Sequence, residues 1–501
     1  MLSALLCAAG IVTCANATTI VVDIGGTGDH TTINPAIAAT SEGDTILVMP
    51  GTYTGLENKN WDFEGKSLVI RSSAGSATTI VDCEGSNGIM ACNPGEAGPA
   101  SVIEGLTLTR GNQFSGGLVY LWDSSPAFID CIFSDSNSFY GGALYIHDAT
   151  PSFTGCVFTG NASEHGGAAQ IELAAPTFTE CEFNSNMSTG EAGGVDVIWD
   201  AAPSFTDCIF YDNSAATNGG GLRCYDNSSP DLTRCEFRDN TAGQHGGGAF
   251  CDSMSAPNIH HCEFWTNTAS IGGGLSCEGN SSPYVSSTAF IANDGGNGGG
   301  ALYADFSSPA FFSCSFVINT GQYGGGAYCY ESVSSFETCV FIGNTATSSR
   351  STGGGGLYCD SADVSLTNVS FSDNGADDYA GGINCYLSDP TLNNCIVAFS
   401  TSGPAITCES GTENPILNCC DIYGNAGGDW VGCIAGQLGV GGNISSDPLF
   451  CDRPSGILTI DAASPCAADH SGGCGQIGAL FVDCDSAVRE TSWGKIKSSY
   501  R

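Results

Sequence analysis

Apolar and polar positions alternate in short runs that return at a fixed interval. The clearest phrase, Pro-x-Phe-x-x-Cys-x-Phe-x-x-Asn, runs from Pro151 to Asn161 and returns, with drift, from Pro176, Pro203, Pro230 and Pro257. Weaker copies start at Pro283, Pro309, Ser334, Val364, Pro390 and Pro415, and most steps are 25 to 27 residues. In Cys156-Val157-Phe158 the recurring residues flank a variable one, the alternation of a strand with one buried face. A second phrase in each repeat is a glycine pair or triplet followed by small or apolar residues, as in Gly219-Gly220-Gly221-Leu222. No repeat holds a helical period of useful length, and one repeat cannot bury its own apolar face. The expectation is therefore an all-β solenoid of about a dozen coils, each strand pairing in parallel with its equivalent about 4.8 Å away. Propeller blades need longer units of about 40–50 residues.

Each column has a physical task. The phenylalanines stack inside. The asparagines Asn161, Asn186, Asn213, Asn240 and Asn267 mark a bend, where an amide bonds backbone and the next asparagine. The glycines allow close backbone approach at another corner. Cysteines form one column at Cys131, Cys156, Cys181, Cys208, Cys235 and Cys262, and another at Cys224, Cys251, Cys277, Cys329, Cys359, Cys385 and Cys408. Column cysteines are expected to be small buried side chains. Those in irregular segments (Cys83, Cys92, Cys433, Cys451, Cys466, Cys474 and Cys484) are the candidates for disulfides.

Composition fits this picture. The 501 residues include 70 Gly and 27 Cys, and only 13% are charged. A net charge of −39 argues against nucleic acid and anionic lipid as partners. Leu2 to Val12, followed by Ala15-Asn16-Ala17, reads as an export signal, and no other segment is long and apolar enough for a transmembrane helix. The expected organisation is a signal peptide at 1–17, an N-terminal cap and first coils at 18–100, regular repeats at 101–426, last coils with a Cys-rich cap at 427–487, and a basic amphipathic tail at 488–501. That tail reads as a capping helix or a sorting tag. The localisation implied is secreted or cell-surface, as a monomer.

Phe-x-x-Asn occurs nine times between Phe158 and Asn374, interleaved with Gly-Gly-Ala-Leu phrases. The pair resembles the passenger repeats of chlamydial polymorphic outer-membrane proteins over roughly residues 125–425, without that family's membrane barrel. The flanks resemble the pectin-lyase-like superfamily. Gly28 to Ala39 is similar to its N-terminal capping helix and Gly43 to Tyr53 to its first coil, while Asp447 to Phe450, Ser464-Pro465-Cys466 and Ile477-Gly478-Ala479 resemble the last coils of bacterial right-handed parallel β-helix repeat proteins. The resemblance implies a right-handed single-stranded parallel β-helix.

That superfamily contains polysaccharide-cleaving enzymes, but their signatures are not found. The Asp-Phe-Ile-Phe-Gly core of pectin methylesterases, the ordered polygalacturonase motifs and the arginine–calcium cluster of pectate lyases do not occur. No zinc-like spacing or calcium loop stands out, Asp377-Asp378 being a weak acidic turn, so no cofactor or metal is expected. One row invites a ligand. Four residues before each repeat proline stand Trp122, His147, Glu172, Trp199 and Asp226, read as an outward strip of aromatics and acids suited to a glycan. Regular coils without long insertions favour a non-enzymatic surface protein for adhesion, glycan binding or structure, with glycans or neighbouring surface proteins as partners. The alternative is a polysaccharide lyase or glycoside hydrolase.

Overall fold

The structure is a computed structural model describing residues 17–92, 100–348, 353–377 and 379–484. Residues 1–16 of the expected export signal, most of the insertion between Ser348 and Gly353, Asp378 and the basic tail lie outside the described residues. The chain winds into a right-handed parallel β-helix of about 15 turns rather than a dozen. The extra turns are N-terminal coils that lack the Phe-Cys-Phe phrase and were invisible to it.

Three sheets run the length of the rod. One of 16 strands runs from Thr19–Val22 to Ile416–Asn418, and one of 15 from Gly51–Tyr53 to Asp421–Tyr423. A third, of 13 strands, runs from Met90–Cys92 to Ile406–Cys408. Short corner strands such as Ala162–His165 and Met187–Glu191 add a fourth wall beside part of the third sheet. A seven-residue helix, Ile33–Ala39, lies at the N-terminal end and buries Ile33, Ala36 and Ile37. Covering that end protects open strand edges from pairing with another chain.

The phenylalanines stack as the columns require. Phe210 and Phe237, on neighbouring coils, lie parallel with centroids 4.5 Å apart, and the contact repeats from Phe237 to Phe264 at 4.6 Å. Asn240 is fully buried and shows the asparagine ladder in full. Its Nδ2 donates to the Phe210 carbonyl at 2.9 Å and to Asn267 Oδ1 at 3.0 Å, while its Oδ1 accepts from the backbone and side chain of Asn213. The same pattern links Asn161 through Asn374. Glycine is required where coils touch: a Cβ on Gly220 would sit 2.2 Å from the Gly247 carbonyl oxygen.

The column cysteines are buried free thiols, except Cys408 at the last coils, which is oxidised. In the irregular segments the expectation of disulfides holds only at the C-terminal end. Cys433 joins column residue Cys408, Cys474 joins Cys419, and Cys451 joins Cys484. Cys83 and Cys466 are free and buried, and Cys92 is buried. Cys92 belongs to the third sheet, in register with Leu121, so its side chain joins the core rather than a cap.

The last coil buries the carboxyl of Asp421. Asp421 accepts the Ser446 N–H at 3.0 Å and the Cys466 thiol at 3.1 Å, and burial pushes its pKa up to about 7. An unfolded aspartate ionises near 3.8, so the native state holds the proton longer, and stability falls as pH rises from there through about 7. Asp421→Asn removes that cost. The variant is expected to exceed the wild type by about 2 kcal/mol at pH 8 and to lose the advantage at pH 4. Urea unfolding at both pH values checks this, and an advantage independent of pH contradicts it.

Candidate functional site

The strand Val195–Ile198 sits mid-rod in the third sheet. Its residue Asp196 pairs in register with Gln170 on one side and Arg223 on the other. These three are successive members of one outward row, preceded by Tyr120 and Tyr145. The corner strands stand beside this face and add Glu191 and His165. Together they leave a cavity of about 310 Å³ lined by Tyr140, Tyr145, His165, Gln170, Glu172, Asp196, Ile198, Trp199, Arg223 and Tyr225. Its size falls at the lower end of small-ligand sites.

The floor is charged and buried. Asp196 is 1% exposed, and Arg223 reaches its two carboxylate oxygens at 3.2 and 3.3 Å while holding Glu191 at 2.5 Å. Burial pushes the Asp196 pKa up to about 6, against the pull of Arg223. Glu172, 4% exposed, accepts from Tyr145 Oη at 2.6 Å and Gln170 Nε2 at 2.7 Å. Burial also raises the Glu172 pKa, the two donors opposing it. Gln170 is 2% exposed, and its Oε1 has no partner. A buried acceptor left open costs stability unless something fills it. Two carboxyl groups shifted upward in a cleft, with an unpaired amide oxygen beside them, form the site's most reactive arrangement.

The predicted row divides here. Trp122, His147 and Glu172 do align, Trp122 and His147 with rings 5.5 Å apart. Glu172 faces inward to the cavity rather than outward to solvent. Trp199 and Asp226 are not in the row: its next members are Ile198 and Tyr225. The reason is turn length. Shorter turns use one left-handed residue after the strand, as at Asp148 and Leu173, whereas the longer ones use two, Trp199-Asp200 and Asp226-Asn227. Counting back from proline therefore lands one residue late. Trp199 still lines the cavity, with φ of 56°, an uncommon conformation for a bulky side chain. Asp226 is exposed on the turn.

Sequence reasoning missed Gln170, Asp196 and Arg223, and it sought a cleft in long insertions. This cleft is made by the regular coils themselves. The available signal was period two: in Val-Asp-Val-Ile and Leu-Arg-Cys-Tyr, the charged residue is the outward one of a strand.

Two family models match parts of the chain and agree with the fold. The model of the right handed beta helix region matches residues 116–290 and 175–346, and the Chlamydia polymorphic membrane protein repeat matches residues 338–360. No curated protein matches the chain. Among solved structures, the pectin methylesterase from carrot is similar at 13% identity over 59% of this chain and 82% of its own, with a TM-score of 0.27. Pectate lyase Pel9A is similar at 11% identity over 94% of this chain and 97% of its own, with a TM-score of 0.29. These likenesses are too distant to bring an activity with them. No helix among the described residues is long and apolar enough to cross a membrane.

Proposed function

We propose that this right-handed parallel β-helix is a secreted or cell-surface protein that binds and hydrolyses a polysaccharide in the groove centred on Asp196. The observation that carries this reading is the buried pair Asp196 and Glu172, both with raised pKa, on the floor of a groove walled by Tyr140, Trp199 and Tyr225. Aromatic rings suit the apolar faces of sugars, and their hydroxyls suit the polar edges. Asp196, with a pKa of about 6, carries its proton at mildly acidic pH and gives it to the departing oxygen. Glu172, which accepts hydrogen bonds from Tyr145 and Gln170, is oriented as the base that activates water. Arg223 positions Asp196.

A second reading, binding without turnover, is favoured by the ion pair itself, because structural ion pairs also perturb carboxyl pKa values. The test is a screen of acidic and neutral polysaccharides for release of reducing ends, with Glu172→Gln and Trp199→Ala alongside the wild type. Turnover lost in Glu172→Gln and weakened substrate binding in Trp199→Ala are expected. Binding without product in the wild type establishes the second reading, and neither binding nor turnover defeats both.

A further inference from the structure

The same sheet face continues past the groove into a different environment. Tyr303, Tyr328 and Tyr358 succeed one another in the row that held Asp196, with ring centroids 5.3 and 5.1 Å apart. Two residues further along each strand runs a second row, in which Asp305, Tyr330, Asp360 and Tyr386 pair in register. Register extends it to Glu278 at one end and Glu409 at the other. The strip is thus two adjacent carboxylates, Glu278 and Asp305, followed by tyrosines alternating with Asp360 and Glu409, one coil apart at about 4.8 Å.

These acids lack what Asp196 has. Between Arg238 and Arg453 the sequence contains one Lys or Arg, Arg350, which lies outside the described residues. No salt bridge to Lys or Arg is formed by Glu278, Asp305, Asp360 or Glu409 among the described residues; His245 meets Glu278 at 2.5 Å. Burial raises the pKa of Asp305, Asp360 and Glu409. Asp305 Oδ1 is buried without a hydrogen-bond partner. Asn384, which follows Tyr358 in the first row, is fully buried, donates to Glu409, and leaves its Oδ1 unpaired. Asp360 accepts from Ser361 and Tyr328, Glu409 from Asn384 and Glu278 from Ser276, but Asp305 Oδ1 and Asn384 Oδ1 are buried acceptors left open, which is costly unless a ligand supplies a donor.

We propose that the face from Glu278 to Glu409 binds a linear ligand carrying several primary ammonium groups. Each ammonium offers three donors and a positive charge, which suits the open oxygens of Asp305 and Asn384 and the partly exposed rings of Tyr303 and Tyr328. Repetition of the acids along the rod favours a chain of amines over a single cation. Amino-sugar oligomers and aliphatic polyamines share this chemistry. The inference goes beyond the hydrolytic groove and stands if that reading fails.

Isothermal titration of the full chain against a fully deacetylated glucosamine hexamer, its N-acetylated counterpart, spermine and oligolysine tests it. The expected result is saturable binding of the glucosamine hexamer or spermine, which says which source fits, and none of the acetylated hexamer. Asp305→Asn/Asp360→Asn is expected to weaken binding about tenfold or more. Asp130→Asn/Asp135→Asn removes the same charge from exposed turns elsewhere and is expected to leave binding within about twofold. Glu409→Gln, a single change at the strip's end, repeats the test should the double variant unfold. Equal losses in both double variants show only the pull of a polyanion and overturn the proposal. So do binding of the acetylated hexamer, failure of both amines to bind, or oligolysine binding more tightly with the same dependence on Asp305 and Asp360.

Discussion

Asn240→Ala is expected to destabilise the rod by about 3–5 kcal/mol, far more than truncation of an exposed polar side chain. The amide makes two donations and accepts twice, and each bond ends on a buried group. After truncation, the Phe210 carbonyl loses its side-chain donor, and the Asn213 N–H and Nδ2 lose the oxygen they shared. Each stranded group costs about 1–3 kcal/mol, and a network in a low-dielectric interior loses more than one isolated bond. Asn425→Ala should cost less. Beyond Asn374 the ladder is interrupted by Ser400, and Asn425 accepts only from the Ser400 N–H and donates to the Val397 carbonyl and to the half-exposed Asp429 carboxylate, with no following asparagine. Because stability in a solenoid is a sum of coils and their interfaces, the damage spreads only to neighbours. Urea unfolding followed by tyrosine and tryptophan fluorescence, with hydrogen exchange to locate the weakened coils, checks this. A cost below about 0.5 kcal/mol for Asn240→Ala would make the ladder a decoration.

The ladder was legible in the sequence because it rests on identity: an asparagine in every coil must do the same thing in every coil. The phenylalanine and cysteine columns were legible for the same reason. The site was not, because a functional residue departs from its column. Asp196 occupies a position where other coils carry Tyr145, Phe250 or Tyr303, and a search for recurring residues passes over a single exception. The strip of Trp122, His147 and Glu172 was found by counting from proline, and the count failed where the turn lengthened by one left-handed residue. The first coils were placed by family resemblance and not by the repeat, because their apolar residues, such as Ile46, Val48 and Ile70, fill the core without repeating one residue type. The disulfides Cys408–Cys433 and Cys419–Cys474 were hidden because each joins a cysteine in or next to a column to one in the irregular end. Spacing alone does not report such pairs.

The chemistry of the groove predicts a pH profile with a movable limb. As general acid, Asp196 must hold its proton, so hydrolysis is expected to fall as pH rises through about 6. The raised pKa of Glu172, which must be ionised as base, places the acid limb above the ordinary carboxylate range. Asp196→Asn keeps the shape but has no proton to give, and kcat is expected to drop by about 10²–10⁴ with the limb near pH 6 removed. Arg223→Gln separates positioning from chemistry. Without the guanidinium, the buried Asp196 loses the charge that opposes desolvation, so its pKa moves further up and the alkaline limb moves with it. An activity loss in Arg223→Gln with an unmoved limb would assign Arg223 to the substrate instead of to Asp196. An Asp196→Asn protein that retains wild-type turnover would remove Asp196 from the reaction and leave Glu172 to be tested as the remaining buried carboxyl.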